Sequence, residues 1–385
     1  MSKFIYIISF WFLSFISANA TPEFSAWTGN KCSTCHLSEN GGGARNNFGY
    51  NFAKDASFYS SNDVDFLKPL SNNQLFDGLI TYGGDFRMQT TRSHKTENAT
   101  RRYYPMQMSL YLSANPTPWL SIEAQGNIAP IIFEGQKLWA ASMKFTPDES
   151  LPYLRLGYFQ PPMGLKDCDM TDLDRRVAGP DGTINLIAPD FADLGIEVGY
   201  NSLDWLSVQV GIFNNQAIKE VSVFGDLVPI VPDNGKIVAS KILIRPTAIS
   251  QFLPDLYFGA SNLTCGIFVY NNVFLGVSPI EDWIVQLKFA NSNKPYSRST
   301  QSYIASLSYL VTPGLLLGVK GQYGVSDMLW DKHNFKYLME PKVWQFTANA
   351  KFFPMPFLEV IPEYRFMRTT EYESWRWLVQ LHLYY

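Results

Sequence analysis

The sequence predicts an all-β fold: a transmembrane antiparallel β-barrel of about sixteen strands behind a small helical or irregular amino-terminal segment. Three observations predict it. From Leu79 onward the chain is a succession of segments roughly ten residues long with period-two polarity, as expected of strands with lipid on one side and water on the other. Charged residues make up only 17% of the chain while aromatic residues reach 15%, a balance suited to a barrel with aromatic girdles. No apolar run beyond the amino terminus approaches the ~20 residues of a spanning helix, so the chain has to cross a membrane as a closed barrel.

The first division is residues 1–20. Lys3 is followed by an apolar run from Phe4 to Ile16 and by Ser17-Ala18-Asn19-Ala20. A basic start, a short apolar core and a small-residue ending form a secretory signal peptide with cleavage after Ala20, and the run is short for a membrane anchor. The formal net charge of −3 points to no nucleic-acid partner.

Residues 21–78 form the second division, rich in Gly, Asn and Ser and too small to build a core alone. They carry Cys32-Ser33-Thr34-Cys35-His36, the single Cys-x-x-Cys-His of the chain. In an exported protein this pattern reads as covalent attachment of one haem c. Cys32 and Cys35 add to the haem vinyl groups and His36 becomes the proximal ligand of the iron. A zinc or thioredoxin-like site would need further Cys or His nearby, or a βαβ pattern, and neither is present. Phe24, Trp27, Phe48, Tyr50 and Phe52 are the natural packing partners for a porphyrin.

No Met and no second His lies between residues 21 and 78, so the sixth iron position is open or filled from elsewhere in the chain. His94 and His333 fall in loops at the far end. His382 falls three residues from the end of the last strand, facing the lumen with Gln380 about 10 Å above the rim. It is the candidate distal ligand. Cys168 and Cys265 are isolated, one in a predicted loop and one in a predicted strand, and their spacing does not decide whether they pair.

Residues 79–385 form the barrel. Strands are predicted near 79–91, 103–114, 118–128, 136–146, 152–160, 193–201, 204–213, 235–245, 254–262, 265–275, 281–291, 301–311, 314–325, 342–352, 356–367 and 375–385. Leu120, Ile122 and Ala124 alternate with Ser121, Glu123 and Gln125, and Phe346, Ala348 and Ala350 with Gln345, Thr347 and Asn349. Connections after even strands are tight, as at Thr312-Pro313-Gly314 and Pro354-Met355-Pro356. Several after odd strands are long: 161–192, 214–234 and 326–341. Short turns at one end and long loops at the other mark an outer-membrane barrel, and an even count returns the last strand to the end where the amino-terminal segment starts. Glu123, Arg155, Glu197, Lys241, Arg245, Lys288, Lys320, Lys351, Glu359, Glu363, Arg365 and Arg376 face the lumen. Their mixed signs read as charges solvated in a wet interior.

Three stretches resemble known families. Pro22-Glu23-Phe24, Gly29, Cys32-Ser33-Thr34-Cys35-His36, Phe48-Gly49 and Phe52 resemble the amino-terminal haem segment of fused monohaem cytochrome–porins. Those are bacterial outer-membrane proteins best known from iron-oxidising bacteria. This chain departs by placing Gly41-Gly42-Gly43-Ala44-Arg45-Asn46 where many members carry a proline-containing spacer. Tyr153-Leu154-Arg155-Leu156-Gly157-Tyr158 with Pro161-Pro162-Met163-Gly164 is similar to a strand of phosphate-selective porins that exits into a loop folded inside the channel. The ending Leu381-His382-Leu383-Tyr384-Tyr385 resembles the carboxy-terminal signal of bacterial outer-membrane barrels.

The resemblance implies electron transfer at the outer membrane. An extracellular donor such as Fe(II), or an extracellular acceptor, exchanges electrons with a periplasmic c-type cytochrome or another carrier, and the barrel is set in outer-membrane lipid. Any enzymatic activity would then be that of an electron-transferring oxidoreductase of the iron-oxidising type. The alternative is a diffusion or anion-selective porin in which the haem segment is a plug, sensor or docking module. A catalytic haem acting on peroxide or a nitrogen oxide would need a distal acid–base residue, and 37–78 has no His to offer.

Overall fold

A computed structural model describes residues 22–59, 72–93, 101–129, 138–165, 172–179, 182–185, 187, 191–215, 220–223, 226–229, 235–249, 255–266, 268–294, 297–326, 329–331, 336–338, 340–370 and 373–385. The signal sequence, His94, Cys168 and His333 lie outside the described residues.

Sixteen strands form one closed antiparallel ring. They are β1 (Ile80–Ser93), β2 (Arg101–Thr117), β3 (Leu120–Asn127), β4 (Trp139–Phe145), β5 (Tyr153–Phe159), β6 (Asp193–Tyr200), β7 (Leu206–Phe213) and β8 (Ile237–Ile244). The ring continues with β9 (Asp255–Cys265), β10 (Phe268–Ile280), β11 (Trp283–Lys294), β12 (Ser297–Thr312), β13 (Leu315–Ser326), β14 (Lys342–Met355), β15 (Leu358–Thr369) and β16 (Glu373–Tyr384). Sequence neighbours pair throughout. β16 returns to β1 in a register running from Asp85↔Tyr384 to Ser93↔Arg376, so every strand has two partners. Closure is what the bilayer demands, because an open edge would leave backbone N–H and C=O groups unsatisfied in hydrocarbon. No helix among the described residues is long and apolar enough to cross a membrane.

Each predicted strand coincides with one of these. The largest boundary difference is at β10, which runs to Ile280 where the polarity pattern ends near 275; β2 and β12 are each longer than predicted at both ends. The long loops also carry short hairpins at 176–179/182–185, 220–223/226–229 and 329–331/336–338.

The two faces of the ring differ as the alternation requires. Leu112, Ile122, Leu287 and Val379 are exposed on the outside, whereas their neighbours Ser113 and Gln286 are buried in the interior. Aromatic pairs ring both rims: Trp119 with Phe145 and Trp283 with Tyr309 at the short-turn end, Trp139 with Tyr158 and Tyr323 with Trp344 at the other. Such rings suit the interfacial depth of a membrane. Two chain segments occupy the interior. The amino-terminal one comprises α1 (Pro22–Thr28), α2 (Cys32–Cys35) and α3 (Asn47–Asp55). The second is the connection between β5 and β6.

The outward face generates a test. Leu287→Arg places a charge in the lipid-facing belt and is expected to cost about 2–4 kcal/mol near the midplane. Urea unfolding in lipid vesicles measures it, and Gln286→Arg on the adjacent inward position is expected to escape that lipid penalty.

Candidate functional site

The Cys32–His36 turn lies inside the ring at the short-turn end. α2 spans the two cysteines and His36 closes it, its backbone N–H donating to the Cys32 carbonyl at 2.9 Å. Three left-handed glycines follow, Gly41, Gly42 and Gly43 with φ of 76°, 68° and 70°, a turn that residues with a Cβ resist. This run folds back so that Arg45 forms an isolated β-bridge with His36. A Cβ on Gly41 would lie 3.5 Å from the Cys32 Cβ, so the glycine turn covers the first cysteine closely.

Asn46 then ties the motif to α3. Its side chain accepts from the Gly49 N–H at 2.9 Å as an N-cap and donates to the Ser33 and Thr34 carbonyls at 3.2 and 3.0 Å. Gly49 allows the close crossing: a Cβ there would sit 2.0 Å from the Cys35 carbonyl oxygen. Cys35 and His36 are both 4% exposed. Burial, reinforced by Cys32, pushes the Cys35 thiol up to about 12, so it stays neutral at physiological pH, unlike the thiolate of an exchange-active Cys-x-x-Cys.

The barrel wall grips this segment from many sides. The Lys31 ammonium donates to the Asn201 carbonyl at 3.0 Å and pairs with Asp204 at 3.1 Å, in the turn between β6 and β7. Glu39 pairs with Lys144 of β4 at 3.3 Å and accepts from Asn201. Lys241 of β8 donates to Asn40 Oδ1 at 2.9 Å, and Lys351 of β14 pairs with Glu23. The Tyr257 hydroxyl of β9 donates to the Pro22 carbonyl at 3.2 Å.

Apolar contacts complete the seat. Phe24 meets Phe353 edge-on at 6.3 Å, and Tyr50 lies 5.1 Å from Phe357 and 5.3 Å from Tyr385. Burying Phe24 and Tyr50 contributes about 1.5–3 kcal/mol each. Past α3, the Phe58 and Tyr59 N–H groups donate to the Phe353 and Pro354 carbonyls at 2.8 and 3.1 Å, fastening the segment to the β14–β15 turn.

The aromatic set expected around a porphyrin is therefore divided. Phe24 and Tyr50 face the wall, while Phe48 and Phe52 stack on each other at 5.9 Å with Phe48 half exposed. The terminal Tyr385 exchanges both backbone hydrogen bonds with Gly84 of β1 at 3.1 and 2.8 Å, stacks on Tyr82 at 5.7 Å and donates from its hydroxyl to the Asn72 carbonyl at 3.1 Å.

His382 is inward-facing as expected, but its surroundings differ from those of an iron ligand. Its Nε2 lies 2.8 Å from Asp85 Oδ1 and its Nδ1 2.8 Å from Glu359 Oε2, all three residues being buried. Each ring nitrogen is thus within hydrogen-bond distance of a carboxylate oxygen. Asp85 also accepts from the Tyr111 hydroxyl at 2.8 Å, and the Arg45 guanidinium lies 4.6 Å over the Tyr384 ring. In this arrangement His382 locks the β15–β16–β1 seam beneath the motif.

Above the segment the lumen is narrowed by the β5–β6 connection, which folds inward as the porin resemblance implied. The Gly164 N–H donates to Ser261 Oγ at 2.8 Å and the Leu173 N–H to Gln322 Oε1 at 2.9 Å. Asp172 takes Lys288 at 3.3 Å and also Lys320, on the wall opposite β5. Between the two inserts lies a small space of about 80 Å³ whose lining includes Glu23 and Asp172. The lumen charges are thus largely paired and not solvated: Arg155 with Glu123 at 2.9 Å and Arg365 with Glu363 at 2.5 Å are further examples.

The donor set suits a covalently held haem. Two thiols three residues apart on one helical turn are followed by a buried imidazole, and neither Cys32 nor Cys35 is in a disulfide. Among the described residues no three His, Cys, Asp or Glu side chains converge as a metal cluster would require.

No protein-family model and no curated protein matches the sequence. Solved structures do resemble the fold. OprB of Pseudomonas putida is 10% identical with a TM-score of 0.56, covering 86% of this chain and 99% of its own. The outer-membrane channel DcaP of Acinetobacter baumannii is 12% identical with a TM-score of 0.54, covering 80% and 97%. An anion-selective porin from Comamonas acidovorans is 11% identical with a TM-score of 0.50, covering 80% and 99%. The chain therefore has the fold of outer-membrane porins.

Two substitutions test the seat. His382→Ala removes the imidazole that bridges the buried Asp85 and Glu359 and is expected to cost about 1–3 kcal/mol, read as a lower midpoint of denaturant unfolding in detergent. Gly49→Ala drives α3 off the Cys35 carbonyl at a cost of about 1–3 kcal/mol. Cleavage of the 56–75 stretch by added protease is expected to quicken on the order of tenfold while the barrel stays intact.

Proposed function

We propose that this barrel is an outer-membrane electron-transfer protein carrying one haem c, attached through Cys32 and Cys35 and ligated by His36. The observation that supports this reading most is the seating of the Cys32–His36 turn. It is buried within the ring and tethered to β4, β8, β9, β14 and the β6–β7 turn, instead of hanging beneath an open channel. When bound, the haem supplies a one-electron couple. The chain's residues hold the attachment turn in place, keep lipid away from it and partner the charges around it. His36 fixes one axial position, and His382, its two ring nitrogens each engaged with a carboxylate, is better read as a structural residue than as the sixth ligand.

The site lies at the short-turn end, which is the periplasmic end if the chain is oriented as porins are. A periplasmic c-type cytochrome or similar carrier then has the shorter approach. A partner on the opposite side reaches the haem by entering the lumen, which favours a small soluble donor such as hydrated Fe(II) over a bulky one. Reversed driving force would run the same centre outward, so the partners' potentials set the direction.

A second reading has its own support. The porin fold, and cations such as Lys241 and Arg245 whose described hydrogen bonds include no carboxylate, suit a diffusion or anion-selective porin whose amino-terminal segment is a plug or docking module.

Holoprotein from a host with c-type haem maturation, inserted in liposomes, separates the two. Electron transfer predicts a covalent haem spectrum in the wild type and none in Cys32→Ala/Cys35→Ala, with Fe(II) added outside reducing the haem faster than a large redox protein does. Wild-type protein that acquires no haem, yet carries a wide and steady ionic current, would overturn this in favour of the porin.

A further inference from the structure

Among the described residues, two lumen cations close to the Cys32–His36 turn, Arg245 and Lys241, make no hydrogen bond to a carboxylate. Arg245 directly follows β8. Its backbone is fixed, the N–H donating to the Trp205 carbonyl at 2.8 Å and Pro246 opening a 3₁₀ turn behind it. The residue is only 3% exposed, yet its Nε and Nη1 have no hydrogen-bond partner. A buried guanidinium with unused donors is costly unless an acceptor completes it.

The chain's own acceptors are committed elsewhere. The ionisable groups that act on Arg245 are, in order, Cys32, Glu39, Tyr257 and Asp204. Glu39 is held by Lys144 and Asn201, and Asp204 by Lys31. The Tyr257 hydroxyl donates to the Pro22 carbonyl and accepts from Gln286 Nε2 at 2.9 Å. Four residues earlier on the same face of β8, Lys241 is 5% exposed and hydrogen-bonds a neutral amide, Asn40. The carboxylate that acts on its charge is Glu197 of β6, buried and already accepting from the Tyr153 hydroxyl at 2.9 Å. Two buried cations on one inward face therefore flank the attachment turn. Arg245 is fixed to Trp205, next to the Asp204 that holds Lys31, and Lys241 holds Asn40, next to the Gly41 that covers Cys32. Neither makes a hydrogen bond to a carboxylate.

We propose that Arg245 is the counter-cation of a haem propionate, with Lys241 as the second cation beside it. This rests on the haem reading above. A haem joined at Cys32 brings two carboxylates to a site otherwise short of them, and a guanidinium fork matches a carboxylate with two parallel N–H donors. Arg245 is then a positioning residue: it orients the macrocycle and offsets negative charge near the iron.

The sign of the effect follows from the charges. Without Arg245 an uncompensated propionate favours the ferric state, so the reduction potential falls. The propionate also takes up a proton at higher pH, which brings the potential back toward the wild-type value as the solution is acidified.

The experiment uses purified holoprotein of the wild type, Arg245→Gln and Arg245→Lys. Covalent haem is counted by intact mass, potentials are measured across pH, and the propionate bending bands are followed by resonance Raman. A wild type without haem overturns the functional reading itself. With haem present, the expected result is a lower and more pH-dependent potential in Arg245→Gln, partial recovery in Arg245→Lys, and shifted propionate bands in both. Haem retained with potential, pH profile and bands unchanged would overturn the propionate assignment alone. If Arg245→Gln does not accumulate, the bands of Arg245→Lys decide: a shift supports the pairing and wild-type bands refute it.

Discussion

A closed ring of sixteen strands encloses an interior wider than its own side chains can fill, and that constraint governs the rest of this structure. The chain fills the space with two of its own segments, the amino-terminal helices from the short-turn end and the β5–β6 connection from the other. Neither could fold alone. The amino-terminal segment has few apolar residues to spare, and it gains its core only by setting Phe24 and Tyr50 against Phe353 and Phe357 of the wall. The barrel in turn acquires a lumen in which Glu23 and Asp172 answer wall lysines that would otherwise repel one another.

Electrostatic matching across that contact is what turns a loose filling into a fixed seat. Lys31, Glu39 and Glu23 each reach a different part of the circumference, so the attachment turn is located laterally as well as in depth. Pairs of this kind, partly withdrawn from water, do little for net stability because desolvation offsets their attraction. Their value is in register. A segment displaced by one turn would leave several buried charges without partners at once.

Much of this fold was legible in the sequence. Period-two polarity is a local signal, carried within each strand, and it located all sixteen strands because lipid imposes it on every one. The Cys32–His36 motif and the inward set on β16 were legible for the same reason: they depend on residues adjacent in the chain. What the sequence did not reveal depends on distance. Asp85 lies 297 residues from His382 in the chain, and only ring closure brings it to the imidazole. Closure therefore sets the candidate ligand His382 between two carboxylates. Nor could the Gly41–Gly43 run announce that it turns Arg45 back on His36, although three successive glycines did mark a backbone path that proline cannot take. Glu39 reads as an ordinary loop carboxylate until Lys144 and Asn201 are seen around it.

The central claim is that a haem-bearing turn is built into the lumen wall of an outer-membrane barrel. A density map of the full-length mature protein in a lipid nanodisc, after expression with c-type haem maturation, tests it most directly. The expected map shows a planar tetrapyrrole bonded to Cys32 and Cys35 within the ring at the short-turn end, with His36 on its iron. Thiols without haem, or a segment displaced from the ring beneath an open lumen, would contradict it.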